Sequence, residues 1–449
     1  MHIDFSTDTT RVTVDQIATP SLGNHSYIVT VDGQAAVIDP QRDIERFEAV
    51  MTYSDARLIA VLETHIHNDY VSGGYWLADL HDAVYVLPEN SGAPYPHREL
   101  SDGESIRVGP WQLIARDTPG HTFHHTSYVL AGPDGEVAVF TGGSMLVGAV
   151  GRSDLLGAES TDELLAHQYR SVRDLSSDLG GRTLVAPTHG AGSFCSASAV
   201  GGTTSTIEAE RLYNPACSAS SEAEFLAIQR AGYGLFPSYY SEMAGANLLP
   251  TNLAPAAGDT MITLDDAIAD NCDIVDCRNF RDYAAGHVTG SISVPPSGQD
   301  ATYLAWTLPW NTPIAIVGDF GSVASLRTHL VRIGWDRVVG RIDPSELLSA
   351  SVPMTTTRVA RFTDVVREQP DKLIDARDPS DHREGIIEGA IPAHVSVLAT
   401  ESVVADQPVW VHCQSGYRAS VAVGLLERQG CEVTAVVDNL PVGLLSADV

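Results

Sequence analysis

Between residues 64 and 70 the chain reads Thr-His-Ile-His-Asn-Asp-Tyr, placing His65, His67 and Asp69 at alternate positions. Two histidines two residues apart, with Asp two further on, converge on one point if the segment is a tight loop. Neutral imidazoles and carboxylates suit Zn(II) or Fe(II). Two more histidines, His121 in Pro-Gly-His-Thr and His189 in Pro-Thr-His-Gly, each have a glycine neighbour that lets the backbone turn sharply and aim the ring. One such histidine alone is more often structural than functional. Four of them, with His-x-His-x-Asp among them, point to a shared site.

A second kind of chemistry is written at 413–420, Cys-Gln-Ser-Gly-Tyr-Arg-Ala-Ser. A strand-like run ending in His412 precedes it and an apolar helical run follows. A loop of this length wraps backbone N–H groups around the Cys413 sulfur with a helix N-terminus behind. Those partial charges, with Arg418 curling in, favour thiolate, the form that attacks a sulfane sulfur. The same cradle then stabilises the negative charge of the resulting persulfide. The other cysteines, Cys195, Cys217, Cys272, Cys277 and Cys431, form no CxxC pair or regular spacing and read as buried small hydrophobes.

These residues need a scaffold, and the pattern supplies one. Strand-like runs occur at 26–30 and 34–39 around the hairpin signal Val31-Asp32-Gly33, and again at 58–63, 83–87, 111–115, 127–130 and 136–141. The histidines fall on loops just after such strands, where functional side chains concentrate on rigid scaffolds. His124 and His125, beside His121, read equally well as exposed loop side chains. Residues 237–259, rich in Ala, Asn, Pro and Gly, read as a linker.

Behind it lies an internal repeat. Asp276 is followed by Arg278, Gly286 and Gly290; Asp375 is followed by Arg377, Gly385 and Gly389 at identical spacings. Both copies then run into a strand opened by proline, Pro313 or Pro408, which predicts two tandem α/β domains. The expected division is 1–236, a linker at 237–259, then 260–350 and 351–449.

The first ~200 residues resemble the metallo-β-lactamase superfamily, and within it the persulfide dioxygenase and glyoxalase II branch. The matching pieces are Asp39-Pro40, Thr-His-Ile-His-Asn-Asp-Tyr-Val-Ser-Gly-Gly (64–74), Pro-Gly-His-Thr (119–122), the run at 140–155 and Pro-Thr-His-Gly-Ala-Gly-Ser-Phe-Cys (187–195). The resemblance implies an α/β class with an αββα sandwich and a metal at one edge. Two departures stand out. Tyr70 occupies the place of the last histidine of HxHxDH, and Gly143 the place of the aspartate after a Thr-Gly pair. Without those two ligands a dinuclear site is not expected. The expectation is one metal ion, Zn(II) or Fe(II), on His65, His67 and His121, with Asp69 and His189 orienting water or a histidine tautomer. Asp39 is expected to brace the histidine loop. The dioxygenase arrangement of two histidines and one aspartate around Fe(II) would correspond to His65, His121 and the missing carboxylate at Gly143.

Residues from about 259 onward resemble rhodanese domains, parallel sheets with helices on both faces, whose active loop is CxxGxR. On that resemblance Cys413, Gly416 and Arg418 are the catalytic residues of the second copy. Aligning the first copy on its strand puts Gly318 at the cysteine, Gly321 at Gly416 and Val323 at Arg418, so that copy forms no persulfide and serves packing, positioning or dimer contact.

The whole chain thus resembles a persulfide dioxygenase–rhodanese fusion that handles sulfane sulfur, with a low-molecular-weight thiol persulfide or thiosulfate as partner. The alternatives are a sulfurtransferase whose metal domain is a scaffold, and a mononuclear zinc thioester hydrolase. The 449 residues carry 44% hydrophobic and 19% charged residues, an ordinary globular balance. The formal net charge of −30 argues against nucleic acid and anionic membranes as partners. No run approaches the ~20 apolar residues that span a bilayer. Residues 1–10 lack the basic-then-apolar order of a signal peptide, so a cytoplasmic protein is expected; a homo-oligomer, a dimer, is a separate expectation.

Overall fold

The computed structural model describes residues 1–198, 200–249, 260–402 and 408–446. They divide into two compact units, the first centred on Met1–Phe236 and the second on the residues from 260 onward. No helix among the described residues is long and apolar enough to cross a membrane.

In the first unit, period-two patterning builds two sheets. The strands His2–Asp4, Val12–Thr19, Asn24–Val31, Gln34–Ile38, Arg57–Leu62, Val84–Pro88 and Arg98–Leu100 lie side by side in chain order. The first four run antiparallel, and pairing is parallel from Gln34–Ile38 onward. The 31–34 hairpin closes through Asp32 and Gly33, both at positive φ (46° and 79°), the turn geometry that an Asp-Gly pair favours. The second sheet has the order Ser205–Thr206, Leu184–Pro187, Gly135–Gly142, Thr126–Gly132, Trp111–Asp117, Ser105–Val108.

Alternate residues decide the layers. Tyr27, Val29, Ala36, Ile38 and Leu62 face Leu113, Tyr128, Leu130 and Phe140 of the other sheet. Their chain neighbours Ile28, Ala35, Val37 and Val61 face Phe47 and Met51 of the helix Glu45–Tyr53 and Leu77 of the helix Gly74–Leu80. Outside the second sheet, the helix Ala158–Asp178 lays Leu165, Val172 and Leu175 on Val129, Val139 and Val185. Residues three and four apart share a helix face, so this stripe covers the sheet along its length. The result is the αββα sandwich. The range read as a linker contains the helix Tyr240–Asn247, which belongs to the first unit; the remainder, 250–259, lies outside the described residues.

The second unit contains two parallel sheets of matching order. In one, Ile292–Ser293, Asp273–Asp276, Ile314–Val317 and Val338–Ile342 are neighbours; in the other, Ile391–Pro392, Leu373–Asp375, Val409–His412, Val433–Val436 and Arg358–Ala360. The repeat spacing has a physical cause. Arg278 reaches back with Nε and Nη2 to both oxygens of Asp276 while Nη2 also donates to the Gly286 carbonyl at 2.8 Å. Arg377 does the same to Asp375 and, at 2.8 Å, to Gly385. Each ion pair locks the strand end to the segment returning toward the sheet.

Candidate active sites

The backbone first gathers the histidine loops. His65 and His125 form an antiparallel bridge, and Asn24 forms another with His189. The N–H of Thr126 donates to the Thr64 carbonyl (2.7 Å) and that of His25 to Thr188 (2.8 Å). Asn247 holds the turn after His67, donating from Nδ2 to the carbonyls of His67 (2.9 Å) and Tyr70 (2.8 Å).

Asp39, fully buried and at a φ of 52°, braces this assembly. It accepts from the N–H (2.7 Å) and Oγ1 (2.8 Å) of Thr64, from Thr188 Oγ1, and from His67 Nε2 (3.2 Å). Burial works to raise its carboxyl, but the charge and hydrogen bond of His67, with the threonine donors, outweigh this and hold it below its ordinary value.

The ring nitrogens are then sorted by their partners. Thr64 Oγ1 donates to Asp39, so at 2.9 Å it accepts from His65 Nδ1. His121 Nδ1 donates to the Arg152 carbonyl at 2.7 Å. His189 Nδ1 donates to Asn24 Oδ1 at 3.1 Å, the same Asn24 whose Nδ2 donates to Asp69 at 2.6 Å. Each ring therefore carries its proton on Nδ1, and the three Nε2 atoms are buried without a hydrogen-bond partner. Burial first, and then neighbouring imidazoles, depress the proton affinity of all three, His121 and His189 to about 3. They stand as neutral donors, and one ligand atom from each lies within 4.8 Å of the others.

His67 is placed differently. Its Nε2 points to Asp39 and, at 3.1 Å, to Glu63; burial opposes its charge, yet the two carboxylates favour the protonated ring and push it up to about 10. It shares a possible ligand group with Asp69 and His189. Tyr70, in the place of the last histidine of HxHxDH, stacks on His67 with ring centroids 4.3 Å apart and donates to the Asp39 carbonyl.

His125 is buried, correcting its reading as an exposed loop side chain. Its Nε2 accepts from the Gly143 N–H at 3.0 Å and its Nδ1 bonds Thr118 Oγ1, so both nitrogens are engaged. At Gly143 an added Cβ would overlap the His121 ring. Asn24, Glu63 and Arg152 were not singled out from the sequence. Asn24 lies far from the histidine motifs in the chain, Arg152 acts through its backbone carbonyl, and Glu63, directly before Thr64, reads as the end of the preceding strand.

In the second unit Cys413 sits directly after the strand Val409–His412, buried, with the helix Tyr417–Arg428 beginning four residues on. Gly416, at φ 97°, turns the loop so that its N–H donates to the Cys413 sulfur at 3.1 Å. A side chain there would strike Val437. Arg418 places Nη1 2.9 Å from Asp381 Oδ2, and burial is outweighed by Tyr303, Cys413 and Asp381 in keeping its charge. The first copy contributes aromatic residues here: Tyr303 lies edge to face with Tyr417 (5.1 Å), and Trp306 with His394 (4.6 Å).

The corresponding place in the first copy is closed. The helix Phe320–Arg332 starts two residues after Gly318, so Gly321 lies inside a helix rather than in a loop turn like Gly416. A Cβ on Gly318 would run into the sulfur of Cys277. Burial, then Asp276, Asp319 and Asp300, push the Cys277 thiol up. Cys217 and Cys272 are half-buried rather than buried.

Residues 20–202 match the metallo-beta-lactamase superfamily, and residues 260–343 and 360–439 each match the rhodanese-like domain. The mitochondrial persulfide dioxygenase of Homo sapiens is 30% identical over 197 residues, 43% of this chain and 70% of that protein. The chain belongs to the metallo-β-lactamase superfamily. It adds two rhodanese-like domains to that fold. A hydroxyacylglutathione hydrolase of Alkalilimnicola ehrlichii is 32% identical over 141 residues, 30% of this chain and 53% of that protein. Among solved structures, a metallo-beta-lactamase from Staphylococcus aureus subsp. aureus COL is 27% identical with a TM-score of 0.69, spanning 74% of this chain and 99% of that one. Superfamily and rhodanese-like domains together make this an enzyme of sulfur-related or hydrolytic chemistry.

Proposed function

We infer that this chain oxidises or cleaves a low-molecular-weight sulfur substrate in its first unit and carries sulfane sulfur on Cys413 in its second. The observation that carries the reading is the set of three buried Nε2 atoms, on His65, His121 and His189, unpartnered and close together. Burying three polar atoms without partners costs about 1–3 kcal/mol each, a cost that a bound cation removes. The pocket of His65, His121 and His189 fits one Fe(II) or Zn(II), which supplies Lewis acidity and, as iron, dioxygen chemistry.

The chain's own groups do the rest. Asn24, Arg152 and Thr64 fix the tautomers, so all three rings present lone pairs rather than protons to the pocket. Asp69, tied to Asn24, places a carboxylate beside His67 and His189 where it can orient water or substrate. The relatives named for persulfide and for hydroxyacylglutathione support a thiol-derived substrate.

At Cys413 the thiolate attacks the outer sulfur of thiosulfate or of a persulfide. The S–S bond breaks, sulfite or thiolate leaves with the electron pair, and the cysteine keeps a persulfide, whose inner sulfur the Gly416 N–H faces. Transfer to a second nucleophile regenerates the thiolate. Tyr303, from the copy with Gly318 at the nucleophile position, helps wall the loop.

Metal analysis with oxygen-electrode assays tests the first half. About one iron per chain and O₂ uptake on glutathione persulfide is the expected result. One zinc with thioester cleavage and no O₂ uptake favours the hydrolase reading, which the neutral three-imidazole set supports. Cys413→Ala is expected to abolish thiosulfate-to-cyanide transfer, and survival of that activity overturns the second half.

A further inference from the structure

We propose that the metal site of this chain is an all-nitrogen set of His65, His121 and His189, with His67 acting as a positioning residue rather than a donor. This deepens the metal reading above and rests on it. Two independent observations lead to it.

The first is which nitrogens are spent. In His65, His121 and His189 the Nδ1 atom has a fixed acceptor and Nε2 has none. In His67 the arrangement is reversed: Nε2 lies between Asp39 and Glu63 at 3.2 and 3.1 Å, and Nδ1 is left over. The group that brings His65 and His121 together takes in His189 and not His67. His67 Nδ1 is unpartnered as well, but it gathers with Asp69 and His189 and not with His65 and His121, so the ring stands outside the three-imidazole group.

The second is the space around His121. Its ring lies between Gly143 and Gly151, and a Cβ on Gly143 would overlap the ring. The Gly151 N–H donates to the Gly143 carbonyl at 3.1 Å, pinning the two glycines to each other. Gly151 Cβ, were there one, would lie 2.9 Å from His121 Nδ1. The slot is therefore as wide as an imidazole and no wider. A carboxylate from residue 143 and the present position of His121 exclude each other, so the third donor comes from elsewhere. His189 supplies it, steered by Asn24 through a backbone bridge and a side-chain hydrogen bond.

Co(II) titration of metal-stripped, full-length protein, read by visible absorption against a competing chelator, tests this. Wild type is expected to bind one equivalent. Removing a donor outweighs the ~10–100-fold cost of losing a supporting residue. His189→Ala is accordingly expected to weaken binding at least ~100-fold, and His67→Gln by no more than ~10-fold. Gly143→Asp, which adds a carboxylate, is expected to weaken binding rather than strengthen it. Circular dichroism on each variant separates misfolding from ligand loss, and His189→Ala decides should Gly143→Asp not fold. Wild-type affinity in His189→Ala, abolished binding in His67→Gln, or tighter binding in Gly143→Asp overturns the donor set while leaving a metal protein. A wild type that takes up no Co(II) removes the metal reading as well.

Discussion

Asn24 and His189 are joined twice, by an antiparallel backbone bridge and by a hydrogen bond from His189 Nδ1 to Asn24 Oδ1 at 3.1 Å. The other end of the Asn24 amide holds Asp69 at 2.6 Å. One neutral side chain thus sets a histidine tautomer and positions a carboxylate. Asn24→Ala is expected to lower metal affinity by about 10–100-fold, the usual cost of losing such a partner. Chelator competition on the purified variant checks it; unchanged affinity would show that the amide is incidental.

Gly416 requires a positive φ, and Val437 closes the space a side chain would need. Gly416→Ala is expected to cost about 1–3 kcal/mol of stability through strain alone. It should also displace the N–H that faces Cys413, lowering thiosulfate-to-cyanide transfer by at least tenfold. Denaturant melts and steady-state assays on the same preparation read both effects.

Restoring a cysteine to the first copy is expected to fail. Gly318→Cys places its Cβ against the Cys277 sulfur, and the helix already starting at Phe320 leaves no loop to cradle a persulfide. In a Cys413→Ala background, Gly318→Cys should give no sulfur transfer above the blank. Recovered turnover would mean that the first copy opens.

Asp375 and Arg377 form an ion pair with both side chains fully buried. Burial works to raise the Asp375 carboxyl, but Arg377 and His412 hold it below its ordinary value. A carboxylate with a depressed folded value adds stability that is present above its unfolded value, near 3.9, and lost as pH falls through the folded one. Asp375→Asn is expected to destabilise by about 3–5 kcal/mol at neutral pH, because Arg377 stays buried without a counter-charge. Its disadvantage should shrink on acidification below about pH 4, which pH-dependent melts of wild type and variant reveal.

The sheets of the first unit were legible because alternation and the Asp32-Gly33 turn leave local marks, and the tandem repeat because each arginine reaches back two residues to its aspartate. The helix Tyr240–Asn247 was not, since its buried residues Tyr240, Met243 and Asn247 sit among Ala, Gly and Asn that read as a linker. The metal pocket was legible as a set of histidines but not as a geometry. Spacing shows that His65 and His67 are near each other. Asp39 was legible as a brace for that loop, but which ring nitrogen each histidine commits depends also on Asn24 and the Arg152 carbonyl, contacts that no local pattern records. Likewise, Gly318 marks a missing nucleophile, but the Cys277 sulfur filling its place appears only in three dimensions.

The most direct test is the metal content of the full-length protein purified without added metal, by inductively coupled plasma mass spectrometry, beside a His65→Ala/His121→Ala variant. Close to one iron or zinc per wild-type chain and almost none in the variant is the expected result. A folded wild type with no bound transition metal, or equal metal in both proteins, would contradict it.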